Sequence, residues 1–230
     1  MTIEKKELVN LFYILDKMNI GDLTANHASI YSKKKKGFYI NKHQYLFSQI
    51  NIKNLSFIKL KEQFQKKHKE INKAGFFIHQ YLHSSKAKPN AILHTHSINS
   101  VAISALKNGF NEKLNQSSMR FFNRIKYFDY NGMVVDKKEG LKLHKLVDKD
   151  TKLIILRSHG IIILADTIDE LFHLTFHFEK CAEIQLRIGT KNSLTVVSDK
   201  ISKLTCNQHE KFGKVGQMSW KAIKKAYKLV

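Results

Sequence analysis

The chain has 230 residues, 43% of them hydrophobic, which is enough to bury a full core and excludes a wholly disordered chain. Its 40 Lys plus Arg against 19 Asp plus Glu give a formal net charge of +21, yet the basic residues run along the whole chain and no nucleic-acid-reading motif accompanies them, so the expectation is a lysine-rich solvated surface without a nucleic-acid partner. No apolar run reaches membrane-spanning length, the first residues lack the small-residue cleavage site of a secretory leader, and Cys181 and Cys206 form no disulfide framework or metal spacing; no membrane association and a cytoplasmic home are expected.

In chain order, residues 3–19 place Leu8, Leu11, Phe12, Leu15 and Met18 at intervals of three and four, the stripe of an amphipathic helix. Segments 28–32, 37–42 and 55–60 are short, β-branched or aromatic, and set off by Gly, Asn and Lys; they predict an antiparallel meander. The dense run "SKKKKGF" at 32–38 falls at one of its turns. Residues 76–85 turn helical, with Phe77, Ile78, Tyr81 and Leu82 on one side, and "NAILHTH" at 90–96 reads as a strand. A short helix over 98–107, a mixed stretch over 110–136 and a helix over 140–147 follow. Two apolar strands come next, 152–158 and 160–165. The longest helix signal covers 166–189, where Asp166 or Thr167 can cap the start, acidic residues occupy the first turns and Gly189 can end it. A basic helix is predicted over 210–227. With no repeat and no Pro-rich or Gly-rich linker, a single α/β domain over 1–230 accounts for this order, its mostly antiparallel sheet covered by helices.

The histidines carry the chemistry. Residues i and i+2 of a strand share a face, so His94 and His96 project together while Thr95 points away. Two imidazoles on one strand can share a metal ion, and a catalytic site normally adds a third protein ligand and an open position. "LRSHGII" offers His159, followed by a glycine that permits a tight turn or a close backbone approach. Ordinary strands also carry histidines, so spacing alone leaves a metal site and a polar core strand both open. His173 and His177 are four apart on a helix but lack the acidic residue of a His-Glu-x-x-His pattern, and they read as ordinary helix residues. His79 and His83 have the same spacing; His79, just before the His94 strand, is the candidate to orient a ligand from behind.

With His-Thr-His closing one strand and Ser-His-Gly closing another 63 residues later, the chain resembles the class II aldolase/adducin family over nearly its whole length. "TANHASI" is similar to the family's early Asn-bearing element and "KAGFFIHQYLHSSKAKPNAILHTHS" to its central helix and metal strand. "RSHGIIILADTIDELF" is similar to its third-ligand strand and following helix, and "FEKCAEIQLR" and "MSWKAIKKAY" to its late helices. The resemblance implies a three-layer α/β/α domain, commonly a homotetramer or other homo-oligomer, with the active site near a subunit boundary. It places a divalent metal, most often zinc, on His94, His96 and His159, and points to Asn26 and Ser29 as substrate-binding. The implied activity is that of a lyase acting on a small hydroxy-carbonyl or sugar-like substrate through a metal-stabilised enediolate.

Two departures qualify this. The family's aldolases carry a Ser-Ser-Glu element whose glutamate moves the proton, and the matching residues here are Lys73, Ala74 and Gly75; "AGFFIH" is instead similar to the adducin-like branch. A Ser/Thr-Gly turn for a substrate phosphate is replaced by Lys42, His43 and Gln44. No catalytic residue is therefore assigned, although Tyr127, Asp129 and Tyr130 are available as proton carriers. The alternative expectation is a metal-binding or purely structural adducin-like module without turnover.

Overall fold

The computed structural model describes residues 2–189, 194–195, 197–212 and 214–229. Helix α1 (Ile3–Lys17) forms on the expected stripe and buries Leu8, Leu11, Phe12, Ile14 and Leu15. The meander follows as β1 (His27–Ser32), β2 (Gly37–Asn41) and β3 (Leu55–Lys59), with the lysine run at the exposed β1–β2 turn, where Lys36 adopts φ 53°. Helix α2 (Lys73–His83) begins three residues before the helix predicted from Phe76. The side chain of Asn72 caps it, accepting from the Gly75 amide at 3.2 Å, so Gly75 sits in the first turn, where a glycine costs less than mid-helix.

Strand β4 (Ala91–Thr95) and α3 (Ile98–Ala105) match their expectations, and the mixed stretch resolves into a 3-10 turn at Ser118–Phe121 and β5 (Ile125–Phe128). Helix α4 (Lys137–Leu146), β6 (Leu153–Leu156), β7 (Gly160–Ala165) and α5 (Ile168–Ile188) complete the central part, α5 capped by Thr167 and ended at Gly189, whose φ is 73°. The basic helix predicted over 210–227 is α7 (Lys214–Ala226), and a further helix that was not predicted, α6 (Asp199–Lys211), precedes it. Helix α6 gave no apolar stripe to read, because it faces the core with Ser202 and Cys206.

Among the described residues seven strands form one sheet in the order β3-β2-β1-β4-β7-β6-β5. Every pairing is antiparallel except β5 with β6, so the sheet is mixed with an antiparallel majority. Because side chains alternate along each strand, Leu93, Ile161 and Ile163 face α1 and α5, whereas Ile92, Ile162 and Leu164 face α2 and α4. The result is the three-layer α/β/α arrangement. Cys181 and Cys206 are buried free thiols. Among the described residues no helix is long and apolar enough to cross a membrane.

Candidate metal centre

Antiparallel register brings the histidines together. His94 lies in β4 opposite Ile162 of β7 and His27 of β1. His96 follows the strand, and Ser97 then caps α3 by accepting from the Ser100 amide at 3.1 Å. His159 sits in the tight turn between β6 and β7, where Leu156 pairs with Gly160 and Ser158 takes φ 55°. Helix α3 holds that turn: the His159 amide donates to Ser104 Oγ at 3.1 Å and the Ser158 amide to the Ser104 carbonyl at 3.1 Å. Gly160 has no room for a side chain, since a Cβ there would lie 2.5 Å from the Thr95 carbonyl and 3.1 Å from the His96 ring. This glycine lets the turn approach the end of β4.

Nε2 of His96 lies 2.8 Å from Nε2 of His94 and 2.9 Å from Nε2 of His159. His94 donates from Nδ1 to the Ile161 carbonyl at 2.9 Å and His96 from Nδ1 to Asp22 Oδ2 at 3.0 Å. Carbonyl and carboxylate oxygens only accept, so each neutral ring carries its hydrogen on Nδ1 and a lone pair on Nε2. Two such lone pairs face each other across less than 3 Å. That contact is repulsive unless a cation lies between the nitrogens. Burial, and then the neighbouring imidazoles, hold His94 well below the ordinary histidine pKa. Burial followed by His96 brings His159 down to about 4, so protons are poor occupants near neutrality. All three residues offer ligand atoms within 4.8 Å of one another, a donor set that fits a divalent metal.

Behind His94 lies a second, closed set. His83 donates from Nδ1 to the Pro89 carbonyl at 2.8 Å, which leaves its Nε2 to accept from Ser29 Oγ at 2.8 Å. Ser29 in turn accepts from His79 Nδ1 at 2.5 Å, and His79 Nε2 accepts from His27 Nδ1 at 2.8 Å. One acceptor-only carbonyl thus fixes every tautomer in the chain. The His27 ring stacks at a tilt on His94, centroids 4.9 Å apart. Its other side fills the space over Gly75, where a Cβ would lie 2.9 Å from the ring. Burial drives the pKa values of His27, His79 and His83 down, that of His83 to about 4.

The predicted residues divide accordingly. His94, His96 and His159 converge. Asn26 is buried beside them, its Oδ1 accepting from Thr95 Oγ1 at 3.2 Å and from the His96 amide at 3.4 Å, while its Nδ2 has no partner among the described residues. Ser29 is not open to a substrate as expected: it is fully buried and its hydroxyl is shared by His79 and His83. His79 does not touch a ligand either; it holds His27, one ring further back. Tyr127 is committed elsewhere, accepting from the Phe110 amide and lying under the Arg157 guanidinium at 4.2 Å. Asp129 and Tyr130 line a shallow recess that includes His159. Sequence reading passed over His27 and Asp22. His27 had a signal, since it alternates with Ser29 on one strand face; Asp22, in a loop, had none.

The profile of the "Class II Aldolase and Adducin N-terminal domain" matches residues 6–186. The chain belongs to the class II aldolase/adducin family. Among curated relatives, an adducin-related protein of Schizosaccharomyces pombe is 32% identical over 181 residues, covering 73% of this chain and 54% of that protein. Human gamma-adducin is 29% identical over 118 residues, 51% of this chain and 16% of that protein. The chain thus spans about half of the first and about a sixth of the second. Among solved structures, an aldolase II superfamily protein from Pseudomonas syringae superposes with a TM-score of 0.86 at 22% identity, covering 98% of this chain and 94% of that one. An L-fuculose 1-phosphate aldolase from Glaciozyma antarctica gives 0.78 at 21% identity, covering 97% and 89%. The class II aldolase fold is therefore the fold of this family member, and the histidine trio occupies one edge of its central strands.

Proposed function

We propose that this class II aldolase/adducin family member is a divalent-metal-dependent lyase acting on a small hydroxy-carbonyl or sugar-like substrate. The observation that carries the reading is the convergence of three Nε2 atoms, with the rings of His94 and His96 turned inward by Nδ1 bonds to Ile161 and Asp22. His94, His96 and His159 hold the metal, and an all-imidazole set suits zinc. When bound, the cation supplies Lewis-acid stabilisation of negative charge on substrate oxygens. Asn26 supplies a buried amide hydrogen with no partner among the described residues, and beside His96 it would orient a substrate oxygen. Tyr130 and Asp129 line a recess that includes His159, which supports them as the groups that would move a proton in place of the absent glutamate. Ile98 is 88% exposed two residues from His96, which supports a neighbouring subunit beside the site and a homo-oligomeric assembly.

The test is metal content by mass spectrometry of protein purified without added metal, followed by a screen for cleavage of hydroxy-ketones and hydroxy-aldehydes. Stoichiometric metal and turnover, both lost in His94→Ala and His159→Ala and turnover alone reduced in Tyr130→Phe, is the expected result. Protein that binds no metal under any condition sinks the proposal.

One observation favours a second reading, a metal-binding module without turnover. At Gly75 the space next to the helix is filled by the His27 ring, so the centre has no carboxylate there. Stoichiometric metal with no cleavage of any screened substrate selects this reading.

A further inference from the structure

A second polar cluster, sharing no residue with the metal centre, surrounds a cavity of about 570 Å³ between α5, α6, the start of α7 and the 3-10 turn at Ser118–Phe121. Its floor is Arg120, only 8% exposed. Arg120 donates from Nε to the Ser117 carbonyl at 3.0 Å and from one terminal nitrogen to His173 Nε2 at 2.9 Å. Three of its five N–H groups remain uncommitted, and no carboxylate pairs with it among the described residues. The other cations lining the cavity are already neutralised: Arg124 by Glu210 at 2.6 Å and Lys152 by Glu170 at 2.8 Å. Asp169 is the remaining acid on the wall.

Three half-buried imidazoles complete the lining. His173 accepts from Arg120 at Nε2, so its hydrogen is on Nδ1. His177 stands edge-on to His173, ring centroids 4.4 Å apart, and makes no hydrogen bond among the described residues. His209 donates from Nε2 to the Gln116 carbonyl at 2.8 Å. These histidines do not gather closely enough to form a metal cluster, unlike the trio at the centre, and a guanidinium beside them opposes a cation. A buried, unpaired arginine is costly unless something negative completes it. The cavity falls in the size range of small-molecule sites, and its N–H groups come from more than one element.

We propose that this cavity binds a phosphate group, either inorganic phosphate or the terminal group of a small phosphate ester. Arg120 is the charged anchor, and His173 and His177 supply further donors to the oxygens. A tetrahedral oxyanion has acceptors enough for donors arriving from several directions. The +21 net charge of the chain draws such anions toward it.

The experiment is calorimetric titration of the full-length, metal-loaded protein with inorganic phosphate and, separately, with glycerol phosphate, both in chloride buffer. Saturable binding of one anion per chain is expected, weakened about tenfold or more by Arg120→Gln and by His177→Asn. His159→Ala, in the metal centre, should leave it unchanged. His177 is half-buried and meets neighbouring rings, His173 and Phe176, only edge-on, so His177→Asn keeps the test valid where Arg120→Gln disturbs folding. Tighter binding of the ester than of phosphate identifies an esterified ligand, and equal binding identifies free phosphate; either supports the site. Absence of saturable binding, full affinity in His177→Asn, or loss confined to His159→Ala overturns it.

Discussion

Two sets of histidines meet at His94 and are built on opposite principles. In the chain from His27 through His79 and Ser29 to His83, each ring lone pair but that of His27 meets a hydrogen, and the series ends on the Pro89 carbonyl. In the trio, the hydrogens of His94 and His96 point outward, to Ile161 and Asp22, and the lone pairs point at one another. The first set is complete as protein. The second is complete only with a cation. The difference teaches that burial of histidines is no signature of metal binding by itself; the direction in which the second ring nitrogen is satisfied decides what the first can do.

The sharpest way to break the closed set is Ser29→Ala, which orphans two buried ring nitrogens and should cost about 2 to 5 kcal/mol in urea unfolding while leaving metal content intact. A loss under about 1 kcal/mol would show that the chain tolerates open bonds. Acid should act on the same region. His83 has a folded pKa of about 4, depressed from 6.5, so its contribution is fully present above pH 6.5 and is lost as pH falls toward 4. A decline of roughly 3 kcal/mol across that window is expected, read from unfolding midpoints in a pH series with chelator present, and a flat profile would contradict it. On the open set, Asp22→Asn keeps the shape but weakens the acceptor that turns His96; metal affinity should drop about tenfold, measured by competition with a chromogenic chelator, with little change in apo-protein stability. Smallest is Gly75→Ala. Its Cβ meets His27 and should destabilise the protein by about 1 kcal/mol after the gain in helix propensity is counted. In a His27→Ala background the same change should become stabilising, and an unaltered sign in that double-mutant cycle would refute the contact.

Much of the scaffold was legible because its signals are local. The stripe of α1, the run of β7 after a glycine, and the Thr167 cap and Gly189 end of α5 all lie within a few residues of what they determine. Strand alternation made the His94–His96 pair legible as a candidate, and the resemblance to the class II aldolase/adducin family added His159 and the metal-site reading. The closed chain was not, because it depends on β1 pairing with β4 in a register that sets His27 against His94, a contact between segments 67 residues apart that no short pattern encodes. The start of α2 was missed for a related reason. Gly75 reads as a breaker until Asn72 is seen capping it, and its lack of a side chain is explained only by the ring above it. Helix α6 escaped because small residues, Ser202 and Cys206, mark its inner face.

The packing of His27 into the space above Gly75 also bears on how such a site can change over generations. A carboxylate side chain does not fit at position 75 while the ring is there, and the ring cannot leave without opening the hydrogen-bonded chain it terminates. Each single step is expected to pass through a less stable protein, so the two positions are coupled: a side chain at position 75 and the ring of His27 exclude one another, and exchange is easiest when both change together.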